Sequence, residues 1–107
     1  MDDETKKELS ELTELICKTV DLSCLYLFGS FANGTQKKDS DFDLYMVLPD
    51  DSIRPLDAMT KAGIAIARVQ KRPIDLLAGR KKDFEQRRSS IGFIEKEVFE
   101  KGVKLYG

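Results

Sequence analysis

The sequence predicts an α/β (α+β two-layer) domain, a mixed sheet with helices packed on it, and three observations carry that prediction. Short apolar runs around residues 25–28, 42–48 and 74–78 have strand length and strand composition. Longer segments between and around them place apolar residues at three- and four-residue intervals, the period of an amphipathic helix. No repeat, low-complexity segment or linker interrupts the alternation, so residues 1–107 read as one domain.

Taken in order, residues 3–20 form the first helix, with Leu9, Leu12, Ile16 and Val20 on one stripe and Asp2, Asp3 and Glu4 at the positive end of its dipole. Asp21 to Ser23 break the pattern. Leu22, Leu25, Tyr26, Leu27 and Phe28 read as a short buried strand that ends at Gly29-Ser30, and residues 33–40 are a loop by composition. In the second strand Phe42, Leu44, Met46 and Leu48 alternate with Asp41, Asp43, Tyr45 and Val47, and Pro49 ends it. One face is apolar and the other begins with two acids, because side chains two residues apart on a strand share a face.

Asp50, Asp51 and Ser52 offer caps for a helix from about Arg54 to Gln70, with Pro55 in its first turn and Leu56, Met59, Gly63, Ile64 and Ile66 facing inward. Lys71 and Arg72 close it, and Pro73 opens a third strand, Ile74 to Ala78, containing Asp75 and ending at Gly79. The charged run RKKDFEQRR begins another helix. Ser89 or Ser90 then caps a last helix holding Ile91, Ile94, Val98 and Phe99, and Gly102 stops it in the left-handed position. Val103, Leu105 and Tyr106 form a tail docked on the body.

Composition removes several function classes. With no histidine, Ser-His-Asp and Cys-His catalysis and the usual zinc sites are absent, which leaves carboxylates, lysine, tyrosine or a hard metal ion to do chemistry. A net charge of −1 argues against a general nucleic-acid binder. Charge is nevertheless uneven: residues 1–20 carry six acids against three bases, and residues 80–107 carry eight bases against five acids, a polarity a partner could use. The basic run from Arg80 to Arg88 reads first as a solvated helix and otherwise as a face for a partner or RNA. No apolar run approaches the roughly 20 residues of a membrane span, and the acidic start is unlike a signal peptide, so a cytoplasmic location is expected. Cys17 and Cys24 read as two buried thiols.

Asp41 and Asp43 are the anomaly, since ionised carboxylates on a buried strand are costly unless a cation meets them. Familiar motifs fail on spacing. Gly29 and Gly34 match the glycines of a P-loop, but Thr35 and Gln36 stand where its lysine and hydroxyl belong, and no G-x-G-x-x-G is present. Asp39, Asp41 and Asp43 imitate the first ligands of an EF-hand, yet its sixth-position glycine is Leu44 and its twelfth-position glutamate is Asp50.

What remains is Gly29-Ser30, ten residues, then Asp41-Phe42-Asp43, with Asp75 on a later strand. This G-S-x10-D-x-D spacing resembles the minimal nucleotidyltransferases of the DNA polymerase β-like superfamily, and the resemblance extends through Ser40 to Leu44, Pro73 to Leu76 and Gly102 to Tyr106. The resemblance implies a transferase whose Asp41 and Asp43 hold two magnesium ions. Asp75 would bind the ion that activates the acceptor and take the acceptor's proton. In-line displacement between two ions about 3.5–4 Å apart needs several carboxylates converging from different strands. Gly29 and Ser30 would present free amides and a hydroxyl to the triphosphate of ATP, with Gly29 keeping a Cβ away from the phosphates. Ser30 as a simple helix cap is the alternative at that position, and Tyr45, which faces the same way as the acids and could line the pocket, reads first as a half-buried strand residue. Relatives often carry an arginine where Asn33 stands; Lys37 and Lys38 lie nearby in sequence.

Proteins of this kind commonly accompany a HEPN-domain ribonuclease toxin and neutralise it by transferring AMP to a toxin hydroxyl, often of tyrosine. A HEPN-type partner in a hetero-oligomer, ATP as substrate, no membrane and no direct nucleic-acid binding are therefore expected. A catalytically idle antitoxin acting by binding alone is the alternative, and a small-molecule nucleotidyltransferase would call for an additional acceptor-binding domain.

Overall fold

The computed structural model describes residues 1–37 and 40–107. Lys38, offered above as a substitute charge, and Asp39, weighed as a calcium ligand, lie outside the described residues.

Helix α1 (Asp3–Thr19) starts where Asp2 accepts a hydrogen bond from the Thr5 amide at 2.7 Å, satisfying one of the free N–H groups of the first turn. Strand β1 (Cys24–Phe28) leads through Gly29 into a single-turn helix α2 (Ser30–Asn33), closed by Gly34. Strand β2 (Phe42–Leu48) is followed by α3 (Pro55–Ile66), β3 (Ile74–Arg80), α4 (Lys81–Arg87), α5 (Ile94–Lys101) and β4 (Val103–Tyr106). The four strands form one mixed sheet in the order β3-β2-β1-β4. β1 runs antiparallel to both β2 and β4, and β2 runs parallel to β3 with Asp43 opposite Asp75. The α+β expectation therefore holds.

The sheet buries its two faces differently. On one, Leu25, Leu27, Phe42, Leu44, Met46 and Leu48 pack against Leu9, Leu12 and Ile16 of α1 and Ala58, Ala62 and Ile66 of α3. On the other, Tyr26, Phe28, Tyr45 and Val47 meet Phe84 of α4 and Val98 of α5.

Several elements differ from the sequence reading, each for a physical reason. α3 ends at Ile66, and its inner face is Ala58, Ala62 and Ile66, whereas Leu56 and Ile64 are 69% and 73% exposed. Small alanines let α3 lie close to α1 and the sheet, an option that counting large apolar residues overlooks. The expected caps of α3 serve neighbours instead: the Ser52 hydroxyl donates to the Pro49 carbonyl, Asp50 accepts from the Lys82 amide, and Arg54 takes the cap position without a side-chain bond. β3 continues past Gly79 because its parallel register with β2 extends to Leu48 opposite Arg80. The first strand starts at Cys24, leaving Leu22 buried in the preceding turn.

The last helix starts at Ile94. Ser90 donates to the Gln86 carbonyl at the end of α4, and Ile91 stands outside any helix, 92% exposed. Gly102 is extended, with φ −73°, rather than left-handed. A Cβ there would overlap the Val98 carbonyl oxygen and crowd that of Leu27, so glycine is needed for the close approach of α5 to β1. The docked tail is a strand, β4, paired to β1. Cys17 and Cys24 are free and half-buried rather than buried, and burial raises the Cys17 thiol pKa.

Candidate active site

The topology brings the two halves of the sequence motif to one end of the sheet. β1 ends at Phe28, which pairs with Asp43 across the antiparallel register, so Gly29 and Ser30 emerge beside that carboxylate. Gly29 has φ +75° and ψ −149°, a conformation that side-chain-bearing residues rarely adopt. A Cβ on it would overlap Oδ2 of Asp43. The glycine is thus required by the acid beside it, before any phosphate is considered, a reason additional to the one read from sequence.

Ser30 begins α2 and is half-buried; the amides of Asn33 and Thr35 return to the carbonyls of Gly29 and Ser30 at 3.0 Å each, holding the turn tight. Asn33 and Lys37 are exposed.

Asp43 and Asp75 are register partners on parallel strands, and their carboxyls lie within hydrogen-bonding reach. Asp43 is half-buried and Asp75 exposed. Asp41 precedes β2 and is exposed, near enough to act on Asp43 through its charge. Burial pushes the Asp43 carboxyl up to about 6, assisted by the hydrogen bond to Asp75 and by the negative charges of Asp75, Asp41 and Glu97. Among the described residues the charges that act on Asp43, those of Asp75, Asp41 and Glu97, are negative, so a cation would relieve the site. Hard carboxylate oxygens and repulsion among them fit a magnesium-sized ion, which commonly takes one or two protein carboxylates and fills its other positions with water and substrate phosphate. Among the described residues no group of three or more His, Cys, Asp or Glu is placed to hold a metal ion by itself, so water and substrate phosphate would have to complete the coordination of any ion here.

Tyr45 does not line this site. It is 2% exposed, and its hydroxyl donates to Glu95 at 2.8 Å, with Arg87 3.8 Å from the same carboxylate oxygen. Burial and the neighbouring Glu95 hold the phenol protonated well above its usual range.

The sequence reading missed Arg72, treated there as a helix terminator. Its guanidinium grips the Glu8 carboxylate through Nε and Nη2 at 3.0 and 2.9 Å, and Nη1 donates to the Ser40 carbonyl at 3.3 Å. The signal was present on α1: Glu8 sits on the same stripe as Thr5, Leu9 and Leu12 and is 7% exposed, and a buried acid implies a cationic partner. Beside this pair lies a cavity of about 420 Å³ whose lining includes Phe31, Gln36, Lys37 and Arg72; the three aspartates are not part of it.

With a mixed sheet and carboxylates meeting a Gly-Ser turn, the fold and the site define a nucleotidyltransferase domain. The chain belongs to the polymerase beta nucleotidyltransferase family, whose model matches residues 10–107. It is similar to the crystal structure of a toxin-antitoxin complex with AMP-PNP, at 25% identity and a TM-score of 0.66, over 94% of this chain and 73% of that one. A mutant of the toxin-antitoxin MntA-HpeT shares the fold at 22% identity and a TM-score of 0.64, over 91% of this chain and 71% of that one. So does a putative nucleotidyltransferase from Sulfolobus solfataricus, at 18% identity and a TM-score of 0.58, over 92% and 76% of the respective chains. No curated protein matches the sequence. Among the described residues no helix is long and apolar enough to cross a membrane.

Proposed function

We propose that residues 1–107 act as one minimal nucleotidyltransferase unit that transfers AMP from ATP to a hydroxyl, of tyrosine by family analogy, on a HEPN-type ribonuclease toxin, and so serves as its antitoxin. The observation that carries this is the meeting of Asp43 with Asp75 across the β2–β3 register, beside a Gly29 that only glycine can occupy, in a chain of this family. The toxin-antitoxin structure with AMP-PNP supports the choice of nucleotide and partner class.

In this reading Asp41 and Asp43 would hold two magnesium ions, and Asp75 would help hold the one that activates the acceptor. Bound ions would supply charge stabilisation for the attacking and leaving oxygens of an in-line displacement. Ser30 and the amides that follow Gly29 hold the triphosphate. Asp75, exposed at the edge strand of the sheet, accepts the acceptor's proton as its oxygen attacks the α-phosphorus; the bond to the bridging oxygen breaks and pyrophosphate leaves.

The test uses ATP labelled on the α-phosphate, a magnesium salt and the purified partner. Label should pass to the partner with the wild type and not with Asp41→Ala or Asp43→Ala. Failure of the wild type to label a verified partner would overturn the reading. If an Asp41→Ala/Asp43→Ala double variant still neutralises the partner, occlusion rather than transfer is the protective act.

A further inference from the structure

The two halves of the site sit on different elements, and Asp41 lies outside the strand that carries Asp43. Among the described residues no side-chain hydrogen bond holds the Asp41 carboxylate, so its placement depends on Ser40 and Phe42 at either side. Both are held by Arg72. Its Nη1 donates to the Ser40 carbonyl at 3.3 Å, and its guanidinium carbon lies 4.4 Å from the centroid of the Phe42 ring. The same plane covers Phe31, the residue after Ser30, at 5.1 Å, and the two rings meet edge to face with centroids 4.8 Å apart. Glu8 fixes the plane by accepting both Nε–H and Nη2–H, with 7% of its side chain and 18% of that of Arg72 exposed. Arg72 is also three residues before Asp75, and the Pro73 carbonyl between them accepts the Phe42 amide at 3.2 Å.

We propose that Arg72, locked by Glu8, is a positioning residue that sets Asp41 relative to Asp43 and the Gly29-Ser30 turn, and thereby sets the affinity of the site for its divalent ion. The inference rests on the nucleotidyl-transfer reading above. A buried ion pair by itself is weak evidence of a role in stability. Here one planar, five-donor group touches the residue following Ser30 and both neighbours of Asp41, a span that a lysine ammonium cannot reproduce. Groups that orient metal ligands from behind typically govern affinity by about 10–100-fold.

The experiment follows binding of Mn²⁺ in the presence of ATP by electron paramagnetic resonance, with folding of each variant checked by circular dichroism. Arg72→Lys should weaken Mn²⁺ binding about tenfold. Glu8→Gln should weaken it in the same direction and decides the matter if Arg72→Lys does not fold. Ile66→Val, which thins the same apolar cluster without removing the Arg72–Glu8 pair, should leave it unchanged. Asp43→Ala should abolish it. Wild-type affinity in folded Arg72→Lys, or in Glu8→Gln where Arg72→Lys does not fold, would overturn the inference, as would an equal loss in Ile66→Val. Loss in Asp43→Ala alone would leave the transfer reading standing. A wild type that binds no Mn²⁺ overturns both.

Discussion

The two faces of the sheet follow different rules. The α1–α3 face is lined by apolar strand residues: Leu25, Leu27, Phe42, Leu44, Met46 and Leu48 are each at most 1% exposed, and the buried acid of α1, Glu8, is met by Arg72 at the edge. The α4–α5 face mixes Tyr26, Phe28, Tyr45 and Val47 with Asp43, Asp75 and Glu95, and leaves Asp75 uncovered. One face is built to be filled and the other to hold charge at one end. The larger apolar core and the acidic cluster thereby fall on opposite sides of the same strand, since alternate residues of β2 supply each.

If that division is right, substitutions should separate by face. Asp41→Ala and Asp43→Ala should cost the largest factor, about 10²–10³-fold or more in labelled transfer, by analogy with removing a single group that stabilises developing charge. They should do so with little loss of folding free energy in denaturant titrations. On the opposite face, Leu44→Ala should lower stability by about 3 kcal/mol, a large share of a small domain's total, with transfer per folded molecule unchanged. A Leu44→Ala variant that folds as firmly as wild type would break the contrast.

Glu95 sharpens it further. Tyr45→Phe removes the one side-chain hydrogen bond that reaches that carboxylate among the described residues and leaves Arg87 at 3.8 Å, so a loss of about 1–2 kcal/mol is expected. The smallest effect concerns pH. The folded state holds the Asp43 proton more tightly than the unfolded chain, whose carboxyl titrates near 3.8 against about 6 in the fold. Without metal this contribution to stability is complete below about pH 3.8 and is lost as pH rises through 6. Solvent screening at this half-exposed group limits it to about 1 kcal/mol. Asp43→Asn should flatten that slope in metal-free denaturation curves.

Much of this was legible in the sequence, and what was not has physical causes. The spacing from Gly29-Ser30 to Asp41-Phe42-Asp43 pointed to one site, and the structure puts Gly29, Asp43 and Asp75 side by side, because a strand's two-residue period and a short loop leave little freedom. The large residues of α1 also read correctly, since a long amphipathic helix repeats its signal over several turns. α3 misled because its buried stripe is alanine. Gly102 misled because close packing and left-handed backbone both select glycine, and only coordinates tell them apart. Arg72 was hidden by distance: its partner Glu8 lies 64 residues away, and pairing at that range leaves no local pattern.

The central proposal is that Asp43, Asp75 and Asp41 are the carboxylates a divalent ion would bind. Titrating the Asp43 side-chain carbonyl carbon by nuclear magnetic resonance, with and without Mg²⁺, tests it on the protein alone. In the metal-free protein Asp43 should titrate near 6, and Mg²⁺ should bring it down into or below the ordinary carboxylate range. A midpoint that Mg²⁺ does not move would contradict the claim.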